Sequence, residues 1–128
     1  MFTRSKSTAD KRERNGLVSH FLLGKGDVDG DALAVTWVDV DPGSRQELHH
    51  HPQVQVYVIV RGQGRMHVGG ETQDVQAGDM VYIPSDAMHG IENTGGDLLS
   101  YVSAASPAID LVAAYDRGQL TSDAYGKN

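Results

Sequence analysis

No cysteine occurs in the 128 residues, which removes disulfide frameworks, thiolate zinc clusters and cysteine nucleophiles from consideration. Any metal must be held by nitrogen and oxygen. Positive charge is also scarce. Eleven Lys and Arg stand against 17 Asp and Glu, for a net charge of −6, and the basic stripe that phosphate-backbone binding requires is missing. Nucleic acid and anionic membranes are therefore not expected partners. No apolar run approaches the roughly 20 residues needed to span a bilayer. The opening stretch MFTRSKSTADKRER has no apolar core after its charges, as an export signal would, so a cytoplasmic setting is expected. Residues 1–15 read as a mobile, solvated tail, and residues 16–128 as one domain, long enough to bury a core without covalent staples.

What is abundant is glycine, 15 residues, punctuating short runs that alternate apolar and polar. Residues 16–21 suit a short strand. Residues 32–40 (ALAVTWVDV) suit another, with Leu33, Val35 and Trp37 on one face, ended by Asp41-Pro42-Gly43. Residues 53–61 (QVQVYVIVR) set Val54, Val56, Val58 and Val60 on one side and Gln53, Gln55, Tyr57 and Ile59 on the other. Gly69-Gly70 suits a tight hairpin with positive φ. Further strands are expected near 80–83, 89–93 and 98–104. Only residues 108–118 have helical spacing, with Ile109, Leu111, Val112 and Tyr115 as an apolar stripe before Gly118. Many short strands with glycine- and proline-rich turns predict an all-β sandwich or small barrel. The valine side of residues 53–61 then needs a dry covering, from a partner subunit or from the tail and C-terminal helix.

The densest chemistry is His49-His50-His51, followed by Gln55. In one extended strand His49, His51, Gln55 and Tyr57 would share a face and His50 would take the other. His89 lies 38 positions after His51, next to another strand-like run. Imidazoles with an oxygen donor suit first-row divalent ions. His67, flanked by apolar Met66 and Val68, is expected to face outward.

These residues carry a resemblance to the cupins, small β-barrels or double-stranded β-helix jelly rolls with a metal in the mouth. The family's first motif places a glycine, H-x-H, a glutamate and a second glycine in a register that Gly43, His49, His51, position 55 and Gly62 match, with Gln55 in place of glutamate. The second motif matches at Gly78, Pro84, His89 and Asn93, with Asp86 where the family usually has glycine. The resemblance covers about residues 32–104. It implies His49, His51 and His89 as nitrogen ligands, Gln55 as an amide-oxygen ligand, and one divalent Mn, Fe, Ni, Co or Zn ion. The change to glutamine removes a carboxylate that would serve as a base and leaves the ion's charge whole. A unit charge about 4 Å away is worth about 4 kcal/mol at an effective dielectric near 20, so the ion is held less tightly and is the stronger Lewis acid.

Around this set, Tyr57 and Glu47 are the candidate acid–base groups, and Arg45, Trp37, Met66, Met80 and Tyr101 the candidate substrate contacts. The resemblance implies a metal-dependent enzyme acting on a small oxygenated carbonyl, hydroxy or carboxylate compound by dioxygenase or lyase/isomerase chemistry, and the valine face of residues 53–61 makes a homodimer the expected state. The alternative is a non-catalytic cupin that uses the metal to anchor or sense a small molecule.

Overall fold

Period-two alternation between closely spaced turns gives nine strands in residues 1–108, the part of the chain that the computed structural model describes. They are β1 (Asp10–Arg14), β2 (Leu17–Leu23), β3 (Ala34–Val40), β4 (Val54–Arg61), β5 (Gln63–Val68), β6 (Glu71–Gln76), β7 (Met80–Ile83), β8 (His89–Asn93) and β9 (Leu99–Ser106). All strand pairs are antiparallel. A six-stranded sheet runs β1-β2-β3-β9-β4-β7 and a three-stranded sheet β6-β5-β8. The expected all-β architecture of two packed sheets is what forms. The expected C-terminal helix, residues 108–118, lies outside the described residues except for Ala108.

The tail corrects one expectation. Residues 10–14 are not loose but form β1, paired with β2 from Asp10↔Phe21 to Arg14↔Leu17. The cause is local: Asn15 (φ 52°) and Gly16 (φ 83°) both take positive φ, the two-residue hairpin turn whose twist matches the strands it joins. Gly69 and Gly70 (φ 56° and 90°) do the same between β5 and β6.

The two sheets bury one apolar cluster. Val38, Tyr57, Ile59, Ile83, Leu99 and Tyr101 from the large sheet meet Met66, Val75 and Ile91 from the small one, each large aliphatic side chain contributing about 1.5–3 kcal/mol by leaving water. On β3 the buried face is Ala34, Thr36, Val38 and Val40. The alternation is as expected, and the face that carries Val35 and Trp37 points outward, where Trp37 and Asp39 find polar partners. Trp37 Nε1 donates to Asp39 at 2.9 Å and its ring lies under the Lys6 ammonium at 5.1 Å. On β4 the valines face out, with Val54, Val58 and Val60 exposed, while Tyr57 and Ile59 are buried.

Asn93 and Asp86 explain two positions of the second motif. The Asn93 amide donates to the carbonyls of Val40 and Asp97, tying the strand ends together. Asp86 has φ 61°, the left-handed conformation that glycine adopts freely and that Asp tolerates.

Candidate metal centre

Three imidazoles converge where the chain crosses between the sheets. The segment holding His49 pairs with β8 through Arg45↔Glu92 and His49↔His89, with backbone bonds between His49 and His89 in both directions at 3.0 and 2.8 Å. After Pro52 the chain enters β4 in the other sheet, bringing Gln55 opposite Ile83. His49 and Gln55 therefore do not share one strand, as the alternation suggested. Gln55 reaches the cluster through His51, and the strand breaks between His49 and Gln55. Proline cannot donate to a ladder, and the His51 carbonyl instead accepts from Asp86 N at 2.8 Å.

Ring centroids lie 4.1 Å apart for His49 and His89, 5.0 Å for His51 and His89, and 5.8 Å for His49 and His51. One nitrogen from each can be chosen so that all three lie within 4.8 Å of one another. The orientation of each ring is fixed by its own backbone. His49 Nδ1 lies 3.0 Å from the Glu47 carbonyl, His51 Nδ1 3.1 Å from that of Gln53, and His89 Nδ1 2.9 Å from that of Ala87. A carbonyl only accepts, so each Nδ1 carries the proton and each lone pair is on Nε2. This is the outer support that metal-binding histidines have.

Two further observations test whether a cation fits. His89 Nε2 is buried with no hydrogen-bond partner, an arrangement that costs free energy unless something occupies the lone pair. Gln55 Oε1 lies 3.0 Å from His51 Nε2. With the proton on Nδ1 these are two acceptors face to face, which a cation reconciles, as does an amide turned to present its NH2. The donor set fits a divalent transition metal ion. Burial is the main reason His49 and His89 stay neutral: it lowers His49 from 6.5 to about 4 and His89 to about 3, and the neighbouring histidines add to the effect.

The other expected site residues are distributed unevenly. Tyr57 is buried with its ring edge-on to His89 at 6.0 Å, but its hydroxyl donates to Gln46 Oε1 at 2.9 Å. Tyr101 stacks on Tyr57 at 4.2 Å and accepts from Gln46 Nε2 at 3.3 Å. Arg45 and Glu47 pair with each other at 3.2 Å. Met66 is buried in the core between the sheets, whereas Met80 sits on the outer face opposite Val58, 59% exposed. Trp37 is not brought to the site: it occupies the outer face of β3. His50 is exposed beside Asp86, and His67 faces outward between Glu92 and Thr72. Nothing in the sequence marks Gln46. A polar residue three positions before the first ligand-type histidine carries no periodic signal, yet it joins both tyrosines beneath the cluster.

A profile of the Cupin domain family matches residues 36–104. An oxalate-binding protein of Thermotoga maritima is 32% identical over 83 residues, covering 64% of this chain and 69% of its own length. The oxalate decarboxylase of Bacillus subtilis is 34% identical over 76 residues, 55% of this chain and 20% of that larger protein. The crystal structure of a predicted oxalate decarboxylase from Thermotoga maritima superposes with a TM-score of 0.74 at 27% identity, covering 84% of this chain and 99% of that one.

Proposed function

The chain belongs to the cupin family, and on that premise we propose that it is a metal-dependent enzyme for a small oxygenated compound. His49, His51, His89 and Gln55 hold one divalent ion, Mn, Fe, Co, Ni or Zn. The compound carries a carbonyl, hydroxy or carboxylate group, and the reaction is of the dioxygenase or lyase/isomerase type. Oxalate-related proteins among the relatives support a carboxylate ligand. The protein works as a cytoplasmic homodimer that buries the valine face of β4.

The observation that carries this reading is the set of three Nδ1–H groups held by backbone carbonyls, with the buried His89 Nε2 left over. When bound, the ion supplies Lewis acidity toward a coordinated oxygen, or one-electron chemistry in the case of iron. The chain's own residues orient and exclude. The tyrosine–glutamine network fills the barrel beneath the histidines and braces His89, and Gln55 contributes no negative charge. Elemental analysis of protein purified without added metal should find about one equivalent, and His49→Ala and His89→Ala should each lose it while circular dichroism stays that of a β protein. A full equivalent retained by either variant overturns the assignment.

A second reading, a non-catalytic binding or sensing cupin, is favoured by one observation. The tyrosine nearest the cluster spends its hydroxyl on Gln46, and Glu47 is paired with Arg45, so neither side chain is poised for proton transfer. Ligand binding without turnover, across oxygen-uptake and decarboxylation assays with the metal-loaded protein, would decide for it.

A further inference from the structure

The barrel is open along one side. β6 is the edge of the small sheet and β7 the edge of the large one, and between them lies a cavity of about 440 Å³, within the usual range for small-molecule sites. Its apolar lining includes Met66, Val68, Val75, Val81 and Pro84. Of these, Val68 and Val81 are only partly buried against the core.

Register shows where this cleft leads. Val68 on β5 stands opposite His89 on β8 and, on its other side, opposite Glu71 on β6. Residues directly opposite in antiparallel strands share a face, so Glu71, Val68 and His89 form one inward-facing row, with Glu71 two strand spacings, about 10 Å, from His89. The next row is Gln73, Met66 and Ile91. The far wall leads to the same place, since Pro84 follows Ile83, the partner of Gln55. None of the histidines lines the cleft itself, but Val68, which does, stands beside His89 in the sheet, and the outer side is bordered by Glu71 and Gln73, two polar side chains on the lumen face of an edge strand.

We propose that this cleft is a ligand subsite continuous with the histidine cluster, so that the preferred ligand carries an oxygenated metal-binding head, an apolar body and a distal hydrogen-bond donor that Glu71 accepts. This rests on the metal reading above and narrows its substrate class. Oxalate has no apolar atom to lay over Val68 and Val81, and a second carboxylate reaching the mouth would meet Glu71 and Asp79. A neutral hydroxyl or amide at that distance would instead find acceptors. The subsite sets Glu71 and Val81 apart from the metal-binding residues as determinants of specificity.

The test uses the full-length protein loaded with Co²⁺ and titrated with pyruvate, phenylpyruvate and 4-hydroxyphenylpyruvate, followed by cobalt d–d absorption. Phenylpyruvate is expected to bind roughly tenfold more tightly than pyruvate, the return on burying one ring, and the hydroxylated ring more tightly still. Val81→Trp should erase the gain from the ring and leave pyruvate within about twofold. Glu71→Ala should remove only the preference for the hydroxyl. Equal affinity for pyruvate and phenylpyruvate, or loss of all three ligands alike in Val81→Trp, overturns the subsite while leaving the metal reading intact. Failure of Co²⁺ to bind overturns the metal reading instead. The cleft is then judged without metal, from amide chemical shifts on adding p-cresol to the wild-type protein. Shifts concentrated in residues 66–84 support the subsite, and their absence overturns it.

Discussion

Gln55 is the residue at which this chain departs most from the family pattern, and its neighbourhood gives that departure a physical meaning. Its Oε1 is 3.0 Å from His51 Nε2, close enough to join the imidazoles around a cation but without the charge to strengthen their hold. A carboxylate there would add about 8 kcal/mol of attraction to a divalent ion at 4 Å and an effective dielectric near 20, twice the unit-charge figure, much of it offset by desolvation. Gln55→Glu is accordingly expected to tighten metal binding by about 10- to 100-fold, measured by competition with a chromophoric chelator; unchanged affinity would remove Gln55 from the coordination sphere. The pH dependence follows from His49 and His89. Their folded-state values, about 4 and about 3, lie below the ordinary 6.5, so the unfolded chain takes up protons first as the pH falls. Their contribution to stability is complete above pH 6.5 and is lost progressively as the pH falls from there to about 4 for His49 and about 3 for His89. Each histidine adds up to about 1.4 kcal/mol per pH unit to the slope. Urea denaturation of metal-free protein at pH 7.5, 6 and 5 should show the decline, and His89→Gln should flatten it. The three histidines were legible from motif register alone. The partner of the Tyr57 hydroxyl was not, because periodicity tells which face a side chain takes and nothing about which polar atom it finds there.

At the scale of elements, the site depends on a short bridge rather than on a long strand. The sequence reading put His49 and Gln55 on one ladder, since alternation continues through Pro52 without a visible break. The structure instead divides them between the two sheets, so the distance from His49 to His89 is set by how closely residues 45–49 approach β8. Gly90 is what allows that approach. A Cβ built there would lie 2.8 Å from the Gln46 carbonyl oxygen and 3.3 Å from that of Glu47, tighter than backbone can tolerate. Gly90→Ala should push the segment outward, costing about 1–3 kcal/mol of stability and weakening metal binding although the substituted residue contributes no donor. Calorimetric titration with Co²⁺ beside thermal unfolding separates the effects. A variant that loses stability with unchanged affinity would show that the bridge does not position His49. The hairpin at the other end of the chain carries opposing signals in the sequence. Asn15-Gly16 is among the strongest short-range hairpin signals, but the run of charges before it suggested a tail. Those same charges suit an edge strand, where they discourage pairing with another sheet.

For the molecule as a whole, the sequence showed that the large sheet has two apolar faces but not what meets the outer one. Val56 stands opposite Tyr82 and Ala104, and Val58 opposite Met80 and Val102, so the outward side chains of β4, β7 and β9 form a continuous patch. Val58 is 39% exposed, Tyr82 55% and Met80 59%. Contiguous apolar surface of this kind marks an interaction site, whereas scattered exposed valines would need no explanation. The patch has no charge of its own to repel a second copy, which a chain of net charge −6 would otherwise do at close range. If two copies bury it against each other, Val58→Lys places an ammonium at the centre of a dry contact with no carboxylate opposite it. Burial of such an unpaired charge costs several kcal/mol, enough to raise the dimer dissociation constant by at least roughly a hundredfold. Sedimentation velocity should find the wild type dimeric and Val58→Lys monomeric over the same micromolar range, with cobalt binding unchanged because the substitution lies on the face opposite the histidines. A wild type that remains monomeric throughout that range would overturn the dimer.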